Sequence, residues 1–97
     1  IRGWVLNMTL SQRGLDLIKH FEGLRLTAYK CAAGVDTIGY GHTGPDVKPG
    51  LKITQEEAEK FLWKDTESAQ QAVHSFVNIK LNQNEYDALV SFVFNVG

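Results

Sequence analysis

Three side chains that could take part in acid–base or nucleophilic chemistry follow one another closely between Phe21 and Gly44. Glu22 supplies a carboxylic acid, Cys31 a thiol after eight intervening residues, and Thr37 a hydroxyl after five more. A carboxylic acid can give a proton to a leaving oxygen, while a thiol or hydroxyl can position or activate the group that attacks. Carried on a helix end and a hairpin, the three groups can converge on one cleft.

The segment before Glu22 has the pattern of an amphipathic helix. Ser11 can cap its first turn, and Gly23 is a typical residue just past a helix end. Glu22 then belongs to the last turn, where the helix dipole disfavours a negative charge and so acts to raise its pKa. One predicted face of this helix is apolar and consists of Leu10, Leu15, Ile18 and Phe21.

The segment after Glu22 predicts a β-hairpin. Apolar and polar residues alternate from Leu24 to Tyr29, the stretch 31–34 is typical of a turn, and β-branched residues return between Val35 and Tyr40. Residues 41–50, which contain two prolines and three glycines, are predicted to be a loop.

Two further helices are predicted in the second half of the chain. Thr54 and Glu57 form a capping box, and the helix that follows can continue as far as Val77. Asn82 with Glu85 repeats the cap pattern before a strongly apolar helix. That helix needs cover on several sides, so we expect partner chains or further residues of a longer protein to supply it. Met8 resembles a natural start, which makes residues 1–7 candidates for upstream sequence.

Composition excludes several classes of function. The net charge is −1, with ten basic and eleven acidic residues and no basic cluster, so nucleic acid is not an expected partner. The histidines His20, His42 and His74 lack metal-ligand spacing, and no metal or cofactor is expected. A single cysteine allows no internal disulfide, and no segment has the length and apolarity of a membrane span.

The stretch around Glu22 resembles the catalytic segment of phage-type lysozymes, the endolysins of the T4 lysozyme family. The resemblance rests on Glu22-Gly23-Leu24-Arg25-Leu26, on Tyr29 and on Thr37-Ile38-Gly39-Tyr40-Gly41-His42. The later segments ITQEEAEKFL and LNQNEYDALVSFVFNVG are similar to the connecting helix and the first helix of the second lobe of that family. The family continues with more helical residues than this chain contains.

The resemblance implies an α+β, lysozyme-like fold in a single domain, 1–97. A small hairpin lobe, 8–53, would be joined by a long helix, 54–77, to an incomplete helical lobe, 78–97, with the cleft between the lobes. It implies a muramidase that cleaves the β-1,4 bond between N-acetylmuramic acid and N-acetylglucosamine in peptidoglycan without a cofactor. Such an endolysin is held in the host cytoplasm and then acts on the cell wall in the periplasm, with a holin-type release partner implied by resemblance only.

The same resemblance assigns roles to individual residues. Glu22 would be the general acid, Cys31 would occupy a position more often held by aspartate, and Thr37 would hold the attacking water. Gly39, Gly41 and His42 are predicted to line the substrate groove, although His42 also suits a structural role in ordering the Glu22 neighbourhood.

The residue types leave the second catalytic role open. A thiol near its reference pKa of about 8.5 is only slightly ionised at neutral pH, so it is a weaker base than a carboxylate. Cys31 could act as a base, or as a nucleophile that gives retention of configuration, or could merely assist Thr37 in positioning water. Asp36 is expected to point away from Thr37 and to be solvated.

Three other functions are compatible with parts of this pattern. A lytic transglycosylase would need only Glu22 and would leave anhydromuramyl ends. A thiol peptidase based on Cys31 and His42 is disfavoured, because both residues lie on one hairpin in poor geometry for a nucleophile and its base. A fragment that binds glycan without cutting it would bind equally well after Glu22→Gln.

Overall fold

The computed structural model describes residues 3–96, which form helices together with one antiparallel sheet and confirm the α+β class. The helices of this part are α1 (Gly3–Leu6), α2 (Gln12–Glu22), α3 (Gln55–Phe76) and α4 (Gln83–Val96). The strands are β1 (Arg25–Lys30), β2 (Asp36–Gly39) and β3 (His42–Thr43). None of these helices combines the length and apolarity that crossing a bilayer requires.

Both predicted capping boxes are present. The Thr54 N–H donates to Glu57 Oε1 at 3.0 Å, and the Glu57 N–H donates to Thr54 Oγ1 at 3.2 Å. Asn82 and Glu85 exchange the same pair of bonds at 2.9 and 2.8 Å. These reciprocal bonds satisfy N–H groups that a helix start otherwise leaves free, so they fix where α3 and α4 begin.

The sheet has the order β1-β2-β3, with β2 in the centre. Its third strand corrects the prediction of a continuous loop from Gly41 onward, because His42–Thr43 pairs with β2. A two-residue strand has no periodicity that a sequence could show. The turn into it is made possible by Gly39 and Gly41, whose φ angles of +67° and +80° suit glycine.

Two compact units make up the chain, and the first of them is Lys19–Asp65. It contains the end of α2, the sheet, the loop that follows and the first half of α3. The free edge of β1 is covered by residues 51–53, through bonds between Ala28 N–H and Leu51 O and between Ile53 N–H and Leu26 O, both at 2.9 Å. Its buried apolar residues are Ile38, Tyr40, Val47, Ile53, Ala58 and Leu62.

The second unit holds the chain up to Ile18 together with the chain from Thr66 onward. Buried Asp87 accepts bonds from the Ser11 N–H at 3.1 Å, from the Ser11 hydroxyl and from Gln83 Nε2 at 2.8 Å, which ties the start of α2 to α4. The buried apolar residues of this unit are Val5, Leu10, Leu15, Ile18, Ala69, Val73, Tyr86 and Val90. The core of this unit therefore includes Val5 of α1, although residues 1–7 were expected to be upstream sequence.

One predicted core residue is wrong. Phe21 was assigned to the buried face of α2, but its side chain is 69% exposed. The apolar stripe is buried as far as Ile18, and the last turn of the helix belongs to the other unit. There the Phe21 ring makes an edge contact with His20 at 5.5 Å.

Candidate active site

Glu22 is the last residue of α2, and its carboxylate lies against the backbone of Gly41. A Cβ atom placed on Gly41 would come within 2.8 Å of Glu22 Oε2, closer than such contacts occur in proteins. Gly41 therefore serves two needs, because it also has a φ of +80° that side chains rarely adopt. The contact fixes one side of the carboxylate.

The environment of Glu22 suits a proton donor. The residue is exposed to solvent, and the partial desolvation of its carboxyl group raises the pKa of Glu22 above its ordinary value. Desolvation has this direction because it disfavours the charged form of a carboxyl group. A raised pKa keeps a larger fraction of the acid protonated as pH approaches neutrality, which general acid catalysis requires.

Cys31 and Thr37 are brought together by the turn between β1 and β2. The Cys31 N–H donates to Val35 O at 3.0 Å and the Gly34 N–H donates to Cys31 O at 2.8 Å, so the turn closes around the thiol. The pKa of Cys31 is lowered by backbone N–H groups of Val35 and Ala33 and by the Thr37 hydroxyl, all of which favour the thiolate. A larger fraction of this half-buried thiol is therefore ionised near neutral pH than of a free cysteine.

Thr37 lies in the central strand and is only 4% exposed. It is directly opposite Tyr29 on β1 and Thr43 on β3, so the three side chains share one face of the sheet. Its hydroxyl lies 2.9 Å from Val35 O and also within hydrogen-bond reach of the Cys31 thiol, so its single proton goes to one of these two acceptors while its lone pairs can accept. A hydroxyl held in this way can position a water molecule.

His42 follows Gly41 and is held between two carboxylates. Its Nδ1 lies 2.8 Å from Asp65 Oδ2 on α3, and its Nε2 lies 3.0 Å from Asp46 Oδ2 in the loop. The ring also stacks on Phe61 with parallel planes and a centroid distance of 4.2 Å. Because His42 is only 8% exposed, this clamp holds the start of β3 against α3 from within the unit.

The geometry around His42 favours the charged imidazolium. Carboxylates only accept hydrogen bonds, so both ring nitrogens must donate. Burial acts to lower the pKa of His42, but the hydrogen bonds and charges of Asp46 and Asp65 outweigh it and raise the pKa overall. The bond from His42 correspondingly lowers the pKa of Asp46.

Gly39 and Asp36, the two other residues near the sheet for which a prediction was made, each have a defined contact. A Cβ on Gly39 would lie 3.3 Å from Ala58 Cβ, so this glycine lets β2 pack closely on α3. Asp36 forms an ion pair with Lys30 at 2.9 Å and is thereby engaged away from Thr37. Binding of substrate by Gly39, Gly41 and His42 stays a prediction.

All six predicted site residues lie in the same unit, Lys19–Asp65, where they form local groups. Glu22 is grouped with Gly41, and Cys31 with Thr37; within residues 3–96 no hydrogen bond joins one group to the other. In the same described part, no three metal-ligating side chains cluster as a metal site would require.

Sequence reasoning missed the partners of His42. Asp46 follows it by four residues in a loop rich in glycine and proline, a spacing that could have suggested the contact. Asp65 is remote in sequence and gave no signal. Phe61 on α3 adds an aromatic partner by stacking on the His42 ring.

Comparison with known proteins places this site in context. Residues 19–97 match the family model described as Phage lysozyme. The endolysin of Acyrthosiphon pisum secondary endosymbiont phage 1 is 49% identical over 90 residues, which are 93% of this chain and 61% of that protein.

Two solved structures are similar over 94% of this chain. The endolysin from Escherichia coli O157:H7 phage FAHEc1 is 50% identical with a TM-score of 0.87, and the match covers 60% of that chain. The muramidase domain of SpmX from Asticaccaulis excentricus is 43% identical with a TM-score of 0.88, and the match covers 61% of that chain. The present chain thus spans about 60% of the length of these relatives.

Proposed function

We propose that this chain, which belongs to the phage lysozyme family, is a muramidase of the endolysin type. Its substrate is bacterial peptidoglycan, and the bond that it hydrolyses is the β-1,4 linkage between N-acetylmuramic acid and N-acetylglucosamine. The observation that supports this proposal best is the Glu22 carboxyl, held against Gly41 and with a raised pKa, in the same unit as a thiol–hydroxyl pair.

The first half of the reaction falls to Glu22. Its protonated carboxyl donates to the glycosidic oxygen as the bond to the anomeric carbon breaks, which avoids an alkoxide leaving group. The contact with Gly41 restricts where the carboxyl can point, so the proton donor is positioned before substrate binds. Positive charge then develops on the sugar ring that has lost its leaving group.

The second half falls to Cys31 and Thr37. Thr37 accepts a hydrogen bond from water, and the Cys31 thiolate takes the proton of that water as its oxygen bonds to the anomeric carbon. The hydrogen-bond donors that surround the thiol lower its pKa and so shift the equilibrium toward this thiolate. Direct attack by sulfur is the competing route: the carbon–sulfur bond replaces the glycosidic bond, water then displaces the sulfur, and the two inversions give net retention, whereas a single attack by water gives inversion.

The biological setting follows from the relatives. Endolysins act on the cell wall, and we propose the same target for this chain, with synthesis in the host cytoplasm and a holin-type partner for release. Gly39, Gly41 and His42 are proposed to line the groove for the glycan.

The test compares the chain with Glu22→Gln on purified peptidoglycan, with identification of the new sugar ends by mass. We expect reducing ends that disappear in the variant, and no such loss in Glu56→Gln, which removes the same charge from an exposed position on α3. Anhydromuramyl ends would instead assign the protein to the transglycosylases. Absence of new ends would refute hydrolysis by this chain.

Two substitutions then decide the role of Cys31. Cys31→Asp should retain activity if the group acts as a base, whereas Cys31→Ser should lose most of it because an alcohol is hardly ionised at neutral pH. The configuration of the first product separates the routes, since inversion indicates attack by water and retention indicates a sulfur-linked intermediate. Equal activity of the chain and Cys31→Ser would show that Thr37 acts without the thiol.

A further inference from the structure

Arg25 holds its charge over an aromatic ring beside the proposed catalytic residues. Its guanidinium carbon lies 4.9 Å from the centroid of the Tyr29 ring, within the range of a cation–π interaction. Arg25 is exposed, and among residues 3–96 no carboxylate lies within ion-pair distance of it. The neighbouring Lys30, by contrast, is already paired with Asp36 at 2.9 Å.

The register of the sheet places this pair next to Thr37. Tyr29 is the direct cross-strand partner of Thr37, so their Cβ atoms lie about 5 Å apart on one face of the sheet. The pairing of β1 with β2 shifts between Arg25 and Tyr29. This irregularity lies between the two residues that form the cation–π pair.

A guanidinium in this state is suited to bind a carboxylate. Its planar edge offers paired N–H donors that match the two oxygens of a carboxylate, and stacking on a ring leaves that edge free. Stacking also restricts the long side chain before binding, so less conformational freedom is lost when a ligand arrives. An uncharged sugar would use only part of this donor set.

We propose that Arg25, braced on Tyr29, forms a subsite that binds a carboxylate carried by the muramic acid substituent of the glycan. The inference rests on the proposed function for the identity of the glycan, and on the cross-strand pairing of Tyr29 with Thr37 for the position of the subsite. It gives the chain a means of distinguishing peptidoglycan from uncharged glycans of the chitin type.

The carboxylate has two possible sources in peptidoglycan. One is the acidic peptide stem attached to the lactyl group, and the other is the lactyl carboxylate itself where the stem is absent. Removal of the stems from soluble oligomers separates the two sources, since it leaves the lactyl carboxylate on the sugar. Oligomers of N-acetylglucosamine have neither group and serve as the uncharged ligand.

The experiment measures binding in the Glu22→Gln background, so it does not depend on cleavage. Arg25→Met, which keeps a long apolar side chain over the ring, should weaken binding of stem-bearing oligomers about tenfold or more while leaving binding of N-acetylglucosamine oligomers unchanged. Arg25→Lys should fall between, because it keeps the charge without the planar fork. Lys60→Met, the same charge change at an exposed site on α3, should bind like the parent.

The stripped oligomers identify which carboxylate is bound. If Arg25→Met also weakens binding of the stripped oligomers, the bound group is the lactyl carboxylate. If it weakens binding of the stem-bearing oligomers only, the bound group is in the peptide stem. Both outcomes support the subsite. Equal weakening for charged and uncharged oligomers would overturn the proposal and leave Arg25 as a cover for Tyr29, as would unchanged binding of all three ligands. A chain that binds with this selectivity but releases no sugar ends would contradict the proposed hydrolysis alone.

Discussion

The contact between Gly41 and Glu22 predicts that a substitution at Gly41 lowers activity by more than its effect on stability would explain. Gly41→Ala adds one methyl group that would lie 2.8 Å from Glu22 Oε2, whereas ordinary contacts of a Cβ begin at 3.4 Å. The carboxylate must therefore move by about half an ångström or more. Because Oε2 is the far end of a flexible side chain, this movement costs little stability but displaces the proposed proton donor.

Gly50 offers a matched control for the backbone cost. Its φ of +85° resembles the +80° of Gly41, yet a Cβ placed on it would meet no atom within 4 Å. Alanine in a left-handed conformation costs about 1–2 kcal/mol, so both variants should lose that much stability. For a domain of this size each kcal/mol corresponds to about 4–8 °C in Tm.

The two variants should differ in catalysis. Misplacement of a reacting group by about 1 Å can cost on the order of 100-fold, so Gly41→Ala should lose about 10- to 100-fold in kcat/KM relative to Gly50→Ala. Release of reducing ends from peptidoglycan measures the activity, and thermal unfolding followed by circular dichroism measures the stability. Equal kcat/KM in the two variants would refute the positioning of Glu22 by Gly41.

Other predictions concern stability. Because the pKa of His42 is raised on folding, the stability that its charged form contributes is complete below about pH 6.5 and is lost as pH rises through the raised pKa. Urea unfolding from pH 5 to 9 should show this loss of stability. The loss should be absent in His42→Asn and should be unchanged in His20→Asn, which alters an exposed histidine. Gly14→Ala, which would normally favour a helix, should instead destabilise by about 1–3 kcal/mol, because its Cβ would lie 2.7 Å from Asp87 Cγ; a rise in the urea midpoint would contradict this. Tyr86→Phe should lower the free energy of unfolding by about 1–3 kcal/mol, because His74 Nε2 would lose the hydroxyl as its partner, whereas Gln70 Oε1 would keep the bond from the Leu10 N–H; an unchanged midpoint would argue against that network.

Local sequence signals predicted the elements that local interactions create. The boxes of Thr54 with Glu57 and of Asn82 with Glu85 are complete within four residues, so the starts of α3 and α4 could be identified from the sequence. The strand His42–Thr43 could not, because a strand of two residues exists only through its pairing with β2.

The candidate site divides in the same way. Motif spacing singled out Glu22, Cys31 and Thr37 as candidates, and the turn that closes around the thiol is short-range. The bond between His42 and Asp65 depends on how α3 packs against the sheet, and no feature near either residue indicates it. The surface role of Phe21 was missed for a similar reason, since its helical spacing matches that of the core residues before it.

The Gly-Tyr-Gly-His turn is formed by residues 39–42. Contacts within the protein are sufficient to explain why two glycines and a histidine occur in it. Gly39 lets the sheet approach Ala58, Gly41 makes room for the Glu22 carboxylate, and His42 ties the next strand to α3. Each contact is internal, and together they place Glu22, the proposed proton donor, relative to the sheet. We therefore expect recognition of a particular glycan to depend more on side chains whose polar groups are still available to bind, such as Arg25 on its Tyr29 support.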